Sequence, residues 1–143
     1  MPPVLTLLPA PLRRQLERLA RSAAKRSYSP YSGFRVGAAV LGGSGKIHAG
    51  ANVENASYGL CNCAERTAIF SAIAAGETSI AAVVVYTPTA KASSPCGACR
   101  QVINEFGPGA LVISICNTQD RLEAPLSQLL PAAFGPAHLL RRK

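Results

Sequence analysis

The stretch Ile80-Ala81-Ala82-Val83-Val84-Val85-Tyr86 is an unbroken apolar run of strand length with loop-forming residues on either side. A strand with one wet face alternates apolar with polar residues, so a run without alternation reads as a strand buried on both faces. It belongs in the middle of a sheet covered from both sides, which restricts the chain to layered α/β architectures.

The neighbouring segments supply those layers. Ala110 to Cys116 is a second buried-strand pattern, reached from a helix predicted over Cys96 to Phe106 through the turn Gly107-Pro108-Gly109. Cys63 to Ala75 is rich in helix formers, and Gly76 can cap its end. Phe34 to Leu41 reads as a strand; Gly42-Gly43-Ser44-Gly45 reverses the chain, and Lys46 to Ala51 can return antiparallel, leaving Asn52 and Glu54 at its exit. From Pro11 to Lys25, Leu12, Leu16, Leu19 and Ala23 form a helical apolar stripe suited to covering a sheet, with Arg14, Arg18, Arg21 and Lys25 on another face. Ser27 to Gly33 is rich in turn residues and stops that helix. The expected fold is a three-layer α-β-α domain: a mixed sheet of about five strands, a hairpin followed by crossover units, and helices on both faces. At 143 residues the chain forms one domain, 1–143, with 1–10 and 136–143 as flexible or peripheral ends.

Composition narrows the class. Apolar residues make up 48% and no segment is of low complexity, so the chain is expected to fold. Val4 to Leu8 is too short to span a membrane and has no basic region before it, so neither anchoring nor export is expected. Five cysteines, an odd number, point to reduced thiols used in chemistry and to the cytoplasm. The net charge of +8 is concentrated in the first helix and in Arg141-Arg142-Lys143. Solvated helix faces and a basic tail account for it, with nucleic-acid binding at most weak and nonspecific.

Cys96 and Cys99 form a C-x-x-C pair directly after Pro95, a spacing that lets two thiolates reach one metal from a turn entering a helix. Alone, the pair equally fits half of a structural zinc site or a redox couple. Cys63-Ala64-Glu65 changes the balance, because it adds a third thiolate and an acid two residues later. Structural zinc takes four protein ligands, whereas hydrolytic zinc keeps a position for water. Three thiolates outweigh the charge of Zn²⁺ and would weaken it as a Lewis acid. Helix N-termini at all three cysteines, and an arginine donating to sulfur, offset this; Arg66 is the first candidate and Arg100 the second. Cys61 and Cys116 are read as non-ligands, and nothing near His48 or His138 suggests catalytic pairing.

Cys63-Ala64-Glu65-Arg66-Thr67-Ala68 followed by Pro95-Cys96-Gly97-Ala98-Cys99-Arg100-Gln101 closely resembles the small cytidine deaminases that act on free nucleosides. Tyr31 to Ala39 resembles that family's early strand motif, and Asn52-Val53-Glu54-Asn55-Ala56-Ser57-Tyr58-Gly59 its ribose-binding segment. The resemblance runs from about Ser27 to Phe134, and the basic first helix is less typical of it. It implies one Zn²⁺ per subunit on Cys63, Cys96 and Cys99, with Glu65 carrying protons while water replaces the 4-amino group of cytidine or deoxycytidine. It further implies Asn52 and Glu54 on the ribose 3′-hydroxyl, Phe34 against the base and the Ala64 backbone at the pyrimidine edge. Ala56, Tyr58 and Phe134 would come from neighbouring subunits of a homotetramer with shared sites, in pyrimidine salvage. Two alternatives remain at this point: the same chemistry on a modified cytosine nucleoside or on nucleic acid, and a non-catalytic zinc-stabilised module binding RNA through the basic helix.

Overall fold

A computed structural model describes residues 8–139; the terminal segments 1–7 and 140–143, and with them most of the expected flexible ends, lie outside the described residues. Within the described part of those ends, Ala10 already belongs to the first helix and Pro136–His138 forms a 3-10 turn. In chain order the elements are α1 (Ala10–Ala24), β1 (Gly37–Gly42), β2 (Ile47–Ala51), α2 (Ala64–Ala74), β3 (Ile80–Tyr86), α3 (Gly97–Phe106), β4 (Leu111–Ile115), β5 (Arg121–Pro125) and a short α4 (Leu126–Leu129).

They build one five-stranded sheet in the order β2-β1-β3-β4-β5, with β3 at its centre, as the apolar run requires. β1 pairs antiparallel with both β2 and β3, β3 pairs parallel with β4, and β5 returns antiparallel on β4. The register Val83↔Val112 and Val84↔Ile113 aligns the two buried runs. α2 and α3 therefore act as crossovers, carrying the chain from β2 to β3 and from β3 to β4.

Two apolar layers result. On one face Val40, Val83, Val85 and Val112 pack with Ala68, Ile69 and Ala72 of α2 and Ile103 of α3. On the other, Ala39, Leu41, Val84, Leu111 and Ile113 receive Leu16 and Ala20 of α1, with Leu12 and Leu19 partly buried beside them. Each fully buried Leu, Ile or Val side chain contributes roughly 1.5–3 kcal/mol over an exposed one. Two glycines set the layer spacing. A Cβ on Gly37 would lie 2.0 Å from the Ala20 carbonyl oxygen, and one on Gly50 would lie 2.5 Å from the Ala68 amide nitrogen. Helix backbone thus rests on strand backbone at both places. α1 is also tied to β5, through a two-pronged Arg13–Glu123 pair at 2.8 and 2.9 Å and through Arg121–Glu17.

β1 begins at Gly37 rather than at the expected Phe34, and the reason is a side chain. Asn52 Oδ1 accepts the Val36 amide at 2.9 Å and Asn52 Nδ2 donates to the Phe34 carbonyl at 2.7 Å, so one carboxamide replaces the ladder over this extended stretch. The fifth strand, to which no residues are assigned from sequence, is Arg121–Pro125.

Candidate active site

α2 and α3 both start at the same end of the sheet, and their first residues carry the chemistry. Cys63 is the N-cap of α2 and Cys96 the N-cap of α3, both extended; Cys99 lies in the first turn of α3. The three sulfurs therefore share two helix N-termini, not three. Neither helix has a side-chain cap, so first-turn N–H groups remain for the negative charge gathered there.

The sulfurs of Cys63, Cys96 and Cys99 all lie within 4.8 Å of one another, with Cys63 Sγ and Cys96 Sγ 3.8 Å apart. A zinc ion with Zn–S bonds of about 2.3 Å in tetrahedral geometry needs sulfurs about 3.8 Å apart, so the donor set fits zinc in kind and spacing. The thiols are also mutually dependent. The Cys63 thiol is held down at about 5, first by its hydrogen bond with Cys99 and also by Arg66. Cys99 is pushed the other way by that same hydrogen bond, by burial and by the Glu65 charge. Three adjacent thiols ionise together only with a cation between them, which is what a metal supplies.

Arg66 donates from Nη2 to Cys63 Sγ at 3.3 Å, as the charge argument requires. Arg100 does not. It donates to the Pro95 carbonyl at 2.8 Å, to the Leu129 carbonyl at 2.7 Å and to the Ser94 hydroxyl at 2.6 Å, fastening the loop before α3 to the end of α4. Helix spacing does not separate the two, since Arg66 follows Cys63 by three residues and Arg100 follows Cys96 by four; the difference is that the Pro95 and Leu129 carbonyls and the Ser94 hydroxyl take the Arg100 donors.

Glu65, 5% exposed, stands on the first turn of α2 beside the sulfurs. Burial raises its carboxyl above the usual range, helped by the Cys63 charge and opposed by Arg66. A carboxyl so placed exchanges a proton more readily near neutrality than a solvated one.

Outside the sulfurs opens a pocket of about 280 Å³, lined by Phe34, Asn52, Glu54, Cys63, Ala64 and Glu65 among others. These residues span the chain from before β1 to α2, yet the fold delivers them to one cavity. Asn52 is held by Ser27 and by its clamp on Phe34 and Val36, and Glu54 accepts the Tyr31 and Ser32 amides at 3.0 and 3.1 Å together with the Ser32 hydroxyl. The Ser32 hydroxyl, before the two amides, holds the Glu54 carboxyl below the usual range. Glu54 is therefore a fixed anion at the pocket mouth.

Three expected residues do not reach this pocket. Tyr58, 72% exposed, edges onto Tyr31 in an adjoining hollow; Ala56 is exposed nearby, and Phe134, 56% exposed, stacks on His138. Phe34 and Phe134 are too exposed to be core. Conversely, Val36, Asn62, Val85, Thr87, Ser93 and Ser94 line the pocket without a role expected from sequence, and Cys61, expected only not to bind metal, lines it too. Ser93 and Ser94 precede the Pro95-Cys96 motif, a proximity that flags them; Thr87 and Val85 carry no local signal. Cys61 bonds the Asn55 backbone and Cys116 is buried among carbonyls, so neither joins the sulfur cluster. His48 pairs instead with Glu77 at 2.9 Å, at the end of β2 away from Asn52.

The profile of the family described as "Cytidine and deoxycytidylate deaminase zinc-binding region" matches residues 12–115. A cytidine deaminase of Halalkalibacterium halodurans is 47% identical over 123 residues, covering 85% of this chain and 93% of that protein. One of Mycobacterium tuberculosis is 40% identical over 124 residues, covering 87% and 90%. The crystal structure of a cytidine deaminase from Burkholderia pseudomallei superposes with a TM-score of 0.81 at 48% identity, covering 85% of this chain and 98% of that one. The sulfur cluster, which runs from buried Cys99 through half-buried Cys63 to exposed Cys96, the sheet that carries it and these similarities agree, and the chain belongs to the cytidine and deoxycytidylate deaminase family.

Proposed function

We propose that this protein hydrolyses cytidine and 2′-deoxycytidine to uridine and 2′-deoxyuridine with release of ammonia, using one zinc ion on Cys63, Cys96 and Cys99. The observation that carries the reading is the buried Glu65 carboxyl beside three clustered thiols, with Glu65 and Cys63 lining a nucleoside-sized pocket. When bound, zinc supplies a Lewis acid that lowers the pKa of a water to about 7.

The chain's own groups do the rest. Glu65 takes a proton from the water whose oxygen joins C4 and delivers it to N3. It then takes the second proton of that oxygen and gives it to the 4-amino nitrogen, so that the C4–N bond breaks and ammonia leaves. A carboxyl raised by burial suits both directions of transfer. Arg66, donating to the Cys63 sulfur, draws charge from the thiolates and keeps the metal acidic. The Ala64 backbone meets the pyrimidine edge and Phe34 its face. Asn52, with one Nδ2 proton left after its bond to the Phe34 carbonyl, and Glu54 hold the ribose 3′-hydroxyl. A non-catalytic zinc module has no use for a buried acid at this point, which favours the enzyme.

Tyr58, Ala56 and Phe134 serve a neighbour's pocket in a homotetramer; their exposure on one chain supports this. No helix among the described residues is long and apolar enough to cross a membrane. The setting is nucleoside salvage in the cytoplasm. Loss of cytidine absorbance with purified protein tests the activity: deoxycytidine should react as well, a chelator should abolish both reactions, and cytosine and single-stranded DNA should be poor substrates. Turnover of DNA ahead of cytidine would replace this reading.

A further inference from the structure

The basic face of α1 takes no part in the pocket described above. Arg21 stands in the last turn of α1 and Lys25 caps its end four residues on, both exposed, and Arg35 comes alongside from the stretch before β1. Arg35 Nη1 donates to the Lys25 carbonyl at 3.0 Å. The Arg21 guanidinium rests over the Tyr86 ring, 4.9 Å from its centre, and the Tyr86 hydroxyl donates to Asn117 Oδ1. With Ala24 and Pro88 these side chains line a cleft of about 370 Å³ on the α1 side of the sheet.

No carboxylate lines this cleft. The ion pairs on this side of the sheet are Arg13–Glu123, Arg121–Glu17 and Arg121–Glu123, and among the described residues none of the three cleft cations bonds a carboxylate. Three like charges around one hollow repel each other and favour an anion between them. Two are already positioned, Arg21 by the ring beneath it and Arg35 by the carbonyl it holds, so less ordering is lost on binding. Guanidinium forks match phosphate oxygens in pairs, and lysine adds a point charge.

The same features argue against a polymer. The single aromatic in the cleft has Arg21 on its face, so successive bases find no platform to stack on. The geometry points to a second binding site, for a small phosphomonoester of sugar-phosphate or mononucleotide size, formed by Arg21, Lys25, Arg35 and Tyr86. It is separate from the substrate pocket and does not depend on the deaminase reading. The two cavities nevertheless share backbone: Arg35 lies between Phe34 and Val36, and Tyr86 between Val85 and Thr87, all four of which line the substrate pocket.

The test is calorimetric titration of the zinc-loaded protein with ribose 5-phosphate, with ribose, inorganic phosphate and a single-stranded oligonucleotide as parallel arms, at low and physiological salt. Ribose 5-phosphate should bind once per chain, ribose should not bind in the same range, and the affinity should fall as salt rises. Arg21→Ala and Arg35→Gln should each weaken binding about tenfold, the loss of one charged hydrogen bond. Their melting temperatures and cytidine turnover should stay at the parent values, which shows that the variants are folded. Absence of binding heat, or parent affinity in both Arg21→Ala and Arg35→Gln, would overturn the site. Inorganic phosphate binding as tightly as the ester would overturn the phosphomonoester assignment in favour of a free-anion site, and tighter binding of the oligonucleotide through the same arginines would replace it with a nucleic-acid surface.

Discussion

At and behind the inner end of the pocket, Cys63, Cys96, Cys99 and Glu65 come from two helix N-termini of one chain, with Cys99 and Glu65 buried and Cys96 exposed. At the outer end, Phe34, Tyr58 and Phe134 are 41%, 72% and 56% exposed, and only Phe34 lines the cavity. The inner end is completed by folding alone. The outer end presents aromatic side chains that a single chain leaves uncovered, and on the proposed reading a neighbouring chain would cover them.

Breaking the inner end should have the largest effect. Cys99 is fully buried, and in Cys99→Ser bound zinc should drop well below one per chain while turnover falls to background and the melting temperature decreases. A metal assay still reading one zinc per chain would remove Cys99 from the ligand set.

At the outer end, Glu54→Gln should raise KM roughly 10- to 100-fold with a smaller change in kcat, the cost of one hydrogen bond to a charged acceptor. Since the Ser32 hydroxyl and amides hold the Glu54 carboxyl low, it stays ionised as pH falls through the usual carboxylate range, and its contribution to binding is lost only below that range. KM in the parent should therefore be flat from about pH 8 to 5 on this account, and in Ser32→Ala the rise at acid pH should begin earlier. Phe134→Ala sharpens the contrast differently. If the side chain serves a neighbour, the variant should lose several-fold in kcat/KM, and parent activity per chain should fall on dilution as the assembly dissociates; activity independent of concentration would return the outer end to a single chain.

The smallest effect belongs to a region that touches neither end. Glu77, buried where α2 leads into β3, accepts the Ser44 hydroxyl at 2.7 Å and faces His48 at 2.9 Å. Its carboxyl is held low, first by Ser44 and then by His48, so its stabilising contribution is present above the unfolded carboxylate value and fades as pH drops through the folded one. Glu77→Gln should lower the melting temperature by a few degrees at pH 7, a difference that shrinks below about pH 4, with kcat unchanged.

Legibility of the fold in the sequence followed local signal strength. Ile80–Tyr86 is readable to the residue because its burial on both faces leaves no competing pattern, and α2 and α3 start within one residue of expectation because cysteine caps mark them. β5 alternates Arg121 and Glu123 with Leu122 and Ala124 over only five residues and ends on Pro125, too short a pattern to announce a strand; it is one because β4 offers it an edge. The early start assigned to β1 has a similar cause, since a distant Asn52 side chain, invisible locally, takes over the hydrogen bonds of Phe34 and Val36. At the site, proximity in sequence misleads for Arg100 and succeeds for Arg66, because the Pro95 and Leu129 carbonyls, set by the tertiary structure, draw Arg100 away from the sulfurs. Ser93 and Ser94 are legible by their proximity to Pro95-Cys96, whereas Val85 and Thr87 reach the pocket from the end of β3, which only the tertiary structure sets beside it.

The central claim is that Glu65 moves protons beside a metal it does not hold. The most direct measurement pairs zinc content with cytidine turnover in Glu65→Gln. The account predicts one zinc per chain, as in the parent, with kcat lowered by at least about 10²- to 10⁴-fold. Turnover at the parent rate, or loss of the metal along with the activity, would contradict it.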